Sequence, residues 1–503
     1  MIPNLKQYLK SIRLKCEEKA VKEKSFLKHF MVIGGGTLLN MIVGFITTPI
    51  ITRIVGTDEY GQYSIFTMYT SIALMVLCMG LDQALIRFYY HDTSTDYQKT
   101  ILKKCWQLPV IICITLGLIL NLLCYTGIVQ MEFDNFVVTM MTVCVLFQIL
   151  NRLDLILLRV SYKTNLYSML QVGYKVGFAG LVLIGAFVFR QNYFYIMVVA
   201  TVISYIGVTV AGILAQKNLW NFWNIKEKHE INNKELYMYA FPFIISMGIT
   251  TFFQAIDKIS LNYYCTYSDV GIYSSAMTLV HIFAIIQTTF NALWAPMATE
   301  HYEKAPDDKE FHQRGNRIIT LVMFFIGLSL ILIKDVFALL LGADYREAAY
   351  ILPFLIFNPI MYTISETTVV GIVFMKKSKM HIVIASLACI VNIVGNTLLV
   401  PVYGCRGAAI STGIAYIIFF VARTLIANHY YPVKWGLTRF WIITIVSLVY
   451  AWYNTFYSFS IISVVGYVAA EAILFILYRD AINETIIILK TQLPAIIKKR
   501  KKG

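Results

Sequence analysis

Long apolar runs separated by short polar stretches dominate this sequence of 503 residues. A helix that crosses the hydrocarbon core of a bilayer needs about 20 mainly apolar residues, so the pattern predicts about fourteen transmembrane helices. The predicted spans fall near 29–52, 62–86, 106–127, 135–157, 167–189, 193–215, 237–263, 270–294, 317–341, 349–374, 380–401, 407–428, 438–456 and 459–478.

The basic residues are distributed in a way that tests this prediction. Most of the 43 Lys and Arg residues lie at the two ends of the chain and in alternate loops, such as 99–104 and 217–234. Loops retained in the cytoplasm carry an excess of Lys and Arg. We therefore expect both termini to be cytoplasmic, in a multi-pass protein of the cell inner membrane. The same distribution argues against nucleic acid as a partner, despite the net charge of +15.

The composition supports a membrane protein. Charged residues make up 14% of the chain, whereas a soluble domain carries about 25%. The nine cysteines show no metal-ligand spacing, so we expect core residues and no metal site. The basic segment 1–28 precedes the first span without a small-residue cleavage site, which favours a retained anchor.

The chain also contains a weak internal repeat. Residues 58–64 read Asp-Glu-Tyr-Gly-Gln-Tyr-Ser after the first span, and residues 268–274 read Ser-Asp-Val-Gly-Ile-Tyr-Ser after the seventh. Repeats at equivalent places in two halves are typical of transporters. The predicted segments are a basic N-terminal segment 1–28, six-helix bundles 29–215 and 237–428 joined by a cytoplasmic linker 216–236, helices thirteen and fourteen in 429–480, and a basic tail 481–503.

Several short motifs resemble those of one transporter family. In order along the chain, they are Gly-Thr-Leu-Leu-Asn at 36–40, Thr-Arg-Ile-Val-Gly at 52–56, Gly-Leu-Asp-Gln-Ala-Leu-Ile-Arg-Phe-Tyr at 80–89, Asp-Lys at 257–258, Asn-Ile-Val-Gly-Asn at 392–396 and Pro-Val-Tyr-Gly-Cys-Arg-Gly-Ala-Ala at 401–409. Their order and spacing resemble the polysaccharide repeat-unit flippases (Wzx type) of the MATE-like superfamily of multidrug, oligosaccharidyl-lipid and polysaccharide exporters.

The resemblance implies an all-α integral membrane fold and a transport function. The fold would be two six-helix bundles, related by a pseudo-two-fold axis around a central cavity, plus a peripheral helix pair. The function would be translocation of a polyprenyl-diphosphate-linked oligosaccharide to the outer leaflet by alternating access, for cell-surface polysaccharide biosynthesis. Such proteins need no organic cofactor, and coupling to H⁺ or Na⁺ is expected. Membrane lipids and polysaccharide-assembly proteins are the expected partners.

Charged residues inside spans are the candidates for substrate binding. Each costs about 2.5–3.5 kcal/mol near the helix centre on insertion scales, so function is the default interpretation. Lys175 lies in the fifth span, and Asp257 and Lys258 lie in the seventh. For Lys175, snorkelling or a structural pair is the alternative. Asp257 and Lys258 point about 100° apart on a helix, so the alternative for them is a buried ion pair with a residue on a neighbouring helix of the other bundle. Arg53 and Arg87 end the first two spans, where each would meet a diphosphate or anchor the helix at the interface.

Three further residues are candidates for ion coupling. Glu366 in the tenth span is the first choice, with Asp82 near the end of the second and His281 in the eighth. A carboxylate in a membrane can carry a proton or sodium ion, and a histidine titrates near neutral pH. For His281, packing with a hydrogen bond is the alternative.

Two other functional classes are alternatives. A cation-coupled multidrug antiporter on the same fold would need an acidic cavity, and the first six spans contain Lys175 but no equally deep carboxylate. A membrane enzyme, such as a polymerase or acyltransferase, would need a large polar loop or an interfacial His/Asp/Arg cluster. The sequence offers neither, so we expect a transporter and not an enzyme.

Overall fold

The described chain consists of helices and the turns between them. A computed structural model describes residues 35–36, 38–225 and 232–484, and no strand occurs among them. The helices are α1 Leu38–Thr52, α2 Thr57–Cys78, α3 Leu81–Phe88, α4 Thr95–Tyr125, α5 Asn135–Val160, α6 Thr164–Phe189, α7 Tyr193–Ala215, α8 Lys217–Trp220, α9 Asn233–Tyr264, α10 Tyr267–Val280, α11 Ala284–Lys304, α12 Lys309–Leu332, α13 Lys334–Leu340, α14 Ala348–Leu355, α15 Phe357–Thr368, α16 Val370–Phe374, α17 Met380–Tyr403, α18 Cys405–Tyr430, α19 Leu437–Phe456 and α20 Ile461–Leu477.

Each predicted apolar span coincides with a helix, or with consecutive short helices, in the described part of the chain. Eleven of the described helical stretches are long and apolar enough to cross a membrane, and α1 and α20 are shorter apolar helices. The predicted all-α membrane fold is confirmed. The predicted segment 1–28, residues 226–231 of the linker and residues 485–503 of the tail lie outside the described residues.

Contacts within the chain define two compact units. Unit 1 comprises the described residues up to Gly44, Ala73–Val188 and Tyr195–Ile244. Unit 2 comprises Phe45–Ile72, Phe189–Phe194 and the described residues from Ile245 onward. The domain boundaries expected from hydropathy stay a prediction.

Unit 1 contains a sharp bend between α2 and α3. Met79 and Gly80 both have positive φ, of 50° and 71°, and glycine adopts this conformation without a steric penalty. A β-carbon on Gly80 would overlap the carbonyl oxygen of Ala240, so α9 packs directly on the bend. Beyond it, Leu81 and Leu85 are buried with α4 and α5 in the core of the unit.

In unit 2, the repeated sequence motif packs against itself. α2 and α10 cross so closely that a β-carbon on Gly61 would overlap the carbonyl oxygen of Tyr267, and one on Gly271 would overlap a carbonyl oxygen of α2. The last residues of the two motifs, Ser64 and Ser274, share a hydrogen bond of 2.6 Å between their hydroxyls. The repeat therefore marks two helices that meet at a tight crossing.

The rest of unit 2 surrounds a buried central stretch. Ala348–Thr368, which contains α14 and α15, is the most buried of the candidate spans. It packs against α10, α12, α18 and α19, while α17 pairs with α18 and α20 packs on α12 and α19. This arrangement brings α9, α10, α15, α17 and α18 to one cavity.

Candidate functional site

A buried carboxylate, Asp257 on α9, is surrounded by hydrogen-bond donors. Its Oδ1 accepts hydrogen bonds from the amides of Asn392 at 3.0 Å and Asn396 at 2.8 Å. Its Oδ2 accepts from the hydroxyls of Tyr273 at 2.6 Å and Thr412 at 2.7 Å. The residue is 3% exposed. Because a buried charge is costly without partners, these donors compensate the carboxylate without a direct cation from the described residues.

The local sequence explains how these partners converge. Asn392 and Asn396 are four residues apart on α17, so their side chains share one helix face. Ser411 on α18 donates to Oδ1 of Asn392 at 2.8 Å and fixes the orientation of that amide. Oδ1 of Asn396 is buried and accepts no hydrogen bond within the described ranges. An unsatisfied carbonyl oxygen beside a carboxylate is the kind of ligand that a hard cation prefers.

A cavity of about 280 Å³ lies beside this cluster inside unit 2. Its wall includes Asp257 with the polar residues Gln254, Lys258, His281 and Asn358. The Lys258 side chain forms no hydrogen bond or ion pair with another described residue. The cavity therefore combines a compensated carboxylate with an ammonium group available to a ligand.

Three residues predicted from sequence meet at this cavity. Asp257 and Lys258 are neighbours on α9, and neighbours on a helix point about 100° apart. Both nevertheless contribute to the wall, as does His281 from the turn after α10. The structure thus brings together a substrate-binding pair and an ion-coupling candidate that lie on separate spans.

Asp82, a second coupling candidate, forms an ion pair within unit 1. Its Oδ2 accepts from Nε of Arg152 at 2.8 Å and from Nη2 at 2.6 Å. Asp82 is 1% exposed. The pair connects α3 to α5, and Gln83 adds a hydrogen bond of 3.0 Å to the same oxygen.

Glu366, the first-choice coupling residue, forms an ion pair within unit 2. Its Oε1 lies 2.8 Å from Nη1 of Arg423, which also donates to Oγ of Ser365 at 2.7 Å. The Arg423 guanidinium lies 5.3 Å from the centre of the Tyr362 ring. The pair connects α15 to α18, and a coupling role for Glu366 stays a prediction.

The other three candidates do not contribute to the wall of the Asp257 cavity. Lys175 on α6 donates to the backbone carbonyl of Asn40 on α1 at 2.9 Å. Gly44 leaves room for it, because a β-carbon there would lie 2.5 Å from Nζ. Arg53 is exposed directly after α1 in unit 2, and Arg87 is exposed at the end of α3 in unit 1. Their binding roles stay predictions.

Sequence reasoning missed most partners of the charged residues. The amides of Asn392 and Asn396 carried a usable signal, since two polar side chains at i and i+4 inside an apolar helix imply a shared polar neighbour. Arg423 carried a signal of the same kind, because an arginine inside a span needs a partner. Nothing in the local sequence identifies Tyr273 or Thr412 as hydrogen-bond donors to Asp257.

Comparison with known proteins places the chain in a family. The sequence model of the family described as "Polysaccharide biosynthesis protein" matches residues 26–301, which is more than half of the chain. A comparison with curated proteins finds no significant match.

Solved structures share the fold at low sequence identity. The inward closed structure of the lipid II flippase MurJ matches with a TM-score of 0.64 and 16% identity, over 90% of this chain and 100% of that one. A MATE transporter in complex with MaD5 matches with a TM-score of 0.56 and 12% identity, over 80% of this chain and 95% of that one. An inward-facing multidrug resistance MATE transporter matches with a TM-score of 0.53 and 12% identity, over 78% of this chain and 94% of that one. The chain is therefore a multi-pass, all-α membrane protein that belongs to the polysaccharide biosynthesis protein family.

Proposed function

We propose that this protein translocates a polyprenyl-diphosphate-linked oligosaccharide from the cytoplasmic to the outer leaflet, for cell-surface polysaccharide biosynthesis. The observation that carries the proposal is Lys258, whose side chain contributes to a polar cavity and forms no hydrogen bond or ion pair with another described residue. Membership of the polysaccharide biosynthesis protein family supports this class of cargo. The fold that the chain shares with a lipid II flippase supports a lipid-linked one.

The chemistry of the cavity fits a diphosphate. An anionic headgroup that enters a membrane protein needs cationic and hydrogen-bonding partners to replace water. Lys258 provides a compact positive charge that binds phosphate oxygens, and the amides of Gln254 and Asn358 provide additional donors. No bond is made or broken, so the protein acts by binding and conformational change and not as an enzyme.

The Asp257 cluster fits the coupling ion. Carboxylate, hydroxyl and amide oxygens suit Na⁺, and the buried Oδ1 of Asn396 supplies an oxygen without a donor in the described part of the chain. A cation held at Asp257 raises the positive potential at the neighbouring Lys258 and so favours an anionic headgroup. Sodium binding and substrate binding would then be coupled within one unit, with a proton as the alternative ion.

The proposal also includes the protein's location in the cell and its partners. The alternation of basic loops supports a protein of the cell inner membrane with both termini in the cytoplasm. Polysaccharide-assembly proteins would act on the cargo after translocation.

One observation favours a second function, a cation-coupled multidrug antiporter. Asp257 is a carboxylate at a cavity, which would attract an organic cation, and multidrug MATE transporters share the fold. The unpaired ammonium of Lys258 in the same wall opposes such a cation, so we rank this function second.

The test is the lipid-linked glycan pool of a strain that lacks the gene and retains the later assembly steps. We expect a polyprenyl-diphosphate oligosaccharide to accumulate in the cytoplasmic leaflet and to disappear when the gene is restored. An unchanged pool together with greater retention of cationic dyes would overturn the proposal and establish the antiporter.

A further inference from the structure

A second cavity lies in unit 1, and Asp257 is not among the residues of its wall. Its volume is about 820 Å³, within the range of about 300–1,000 Å³ that is typical of small-molecule sites. The wall is formed where α3 ends, by the segment that follows it and by the start of α9. The tight packing of α9 on Gly80, described above, holds these elements together.

The geometry of α3 directs one charged residue into this cavity and another away from it. Asp82 and Arg87 are five residues apart, which corresponds to about 140° around a helix with 100° per residue. Asp82 points inward and pairs with Arg152 on α5, while Arg87 is exposed and contributes to the cavity wall. The Arg87 guanidinium has no hydrogen bond or ion pair with another described residue.

The wall carries both signs of charge without pairing them. Glu235 lies in the same wall as Arg87, and the structure records no ion pair between the two. Gln83 and His91 add further donors and acceptors. Separate hydrogen-bond donors and acceptors suit a ligand whose groups can both donate and accept hydrogen bonds, such as the hydroxyls of a sugar.

Aromatic rings complete the wall. Phe88 and Tyr239 pack edge to face with ring centres 5.7 Å apart, and Tyr90 is 53% exposed beside them. The hydroxyl of Tyr90 donates to the carbonyl of Val160, which anchors that ring. The electron-rich face of an aromatic ring attracts the weakly positive C–H face of a pyranose.

We infer that this cavity binds the saccharide of the cargo, at a site separate from the diphosphate site at Lys258. The assignment rests on the proposed function. A diphosphate fits this wall less well, because the Glu235 carboxylate repels it and, unlike that of Asp257, is not compensated by hydrogen-bond donors among the described residues. A sugar can use Arg87, Glu235 and the Tyr239 ring together. The site is at the end of unit 1 where α3 ends and α9 begins, and the basic residues in the sequence around 99–104 and 217–234 predict this end to be cytoplasmic. The cavity would therefore select the glycan before translocation.

The test uses the free oligosaccharide released by mild acid from the lipid pool of the strain lacking the gene. Its binding to the purified full-length protein in nanodiscs is measured by calorimetry. Arg87→Gln and Tyr239→Ala are expected to raise Kd about tenfold or more, whereas Tyr239→Phe keeps the ring and is expected to bind nearly as wild type does. Arg159→Gln is the matched control, since Arg159 is another exposed arginine of unit 1 and lies outside the cavity wall.

Each contrary outcome has a distinct meaning. Wild-type affinity in both Arg87→Gln and Tyr239→Ala, or no binding of the oligosaccharide, would overturn the saccharide site while leaving the proposed function intact. Inorganic pyrophosphate is titrated in parallel, and if it binds with dependence on Arg87 while the oligosaccharide does not, the cavity is a diphosphate site. Absence of any lipid-linked glycan pool would refute the proposed function itself, and the saccharide site with it.

Discussion

Asp257 illustrates how a single residue in this protein depends on distant parts of the chain. Its four donors belong to α10, α17 and α18, and Asn392 and Asn396 are 135 and 139 residues away from it in sequence. The sequence singles out Asp257 because a carboxylate inside a span is costly. Its partners could not be predicted, since hydropathy does not state which faces of separate spans meet.

The proposed coupling role of Asp257 predicts that sodium stabilises the protein through this residue. A ligand that binds only the folded protein stabilises it by about 1.4 kcal/mol at ten times its Kd. Sodium should therefore raise the melting temperature of the purified wild-type protein relative to choline at equal ionic strength. Asp257→Asn should abolish this increase, because the carboxylate ligand is lost.

The control for this measurement is Asp344→Asn, which neutralises an exposed acid in the same unit. It should respond to sodium as the wild type does. A sodium response of full size in Asp257→Asn would show that the ion binds elsewhere.

The partners of Glu366 and Asp82 could not be predicted from the sequence around each residue. Both acids lie in predicted spans and were candidates for ion coupling, and each pairs with an arginine, Arg423 or Arg152, on another helix. Removing one partner of a buried pair leaves an uncompensated charge. Loss of activity in variants of either acid would therefore need a stability measurement before it is assigned to coupling.

Among the elements, α2 and α10 are the pair whose relation the sequence predicts best. The Gly-x-Tyr-Ser repeat identified equivalent helix starts, and the structure packs those starts together at Gly61 and Gly271. Other features were not predictable. The eighth predicted span is interrupted by a 3₁₀ turn at His281–Phe283, because an apolar run looks continuous whether or not its backbone bends.

The close crossing of α2 and α10 predicts that a side chain larger than glycine at the crossing destabilises the protein. Gly61→Ala and Gly271→Ala should each lower the melting temperature, since overpacking a tight contact costs typically about 1–3 kcal/mol. Here the new methyl group would overlap backbone carbonyl oxygens, which cannot rotate away.

Gly207→Ala provides the comparison, because a β-carbon at Gly207 on α7 would meet no atom within 4 Å. Its melting temperature should equal that of the wild type or exceed it slightly, as expected when a helical glycine becomes alanine. Equal stability of all three variants would show that the crossing is looser than described.

For the molecule as a whole, the hydropathy pattern was sufficient to predict an all-α membrane protein, since span length is dictated by bilayer thickness. The family followed from loose motifs whose order along the chain was informative, and the family match confirms it. The substrate cannot be predicted from hydropathy or from the fold, because proteins that share a fold can have different functions. Proteins with related folds transport either lipids or drugs. The distinction depends on Lys258 and its cavity.

The role of Lys258 can be tested by the rate of translocation in proteoliposomes that contain the lipid-linked oligosaccharide. The glycan that becomes accessible to periodate added outside is measured over time, with Lys304→Gln as a control for loss of an exposed lysine in the same unit. We predict that Lys258→Gln slows translocation at least tenfold, about 1.4 kcal/mol in the barrier, while Lys258→Arg retains most of the rate. Translocation by Lys258→Gln at the wild-type rate would show that Lys258 does not bind the headgroup.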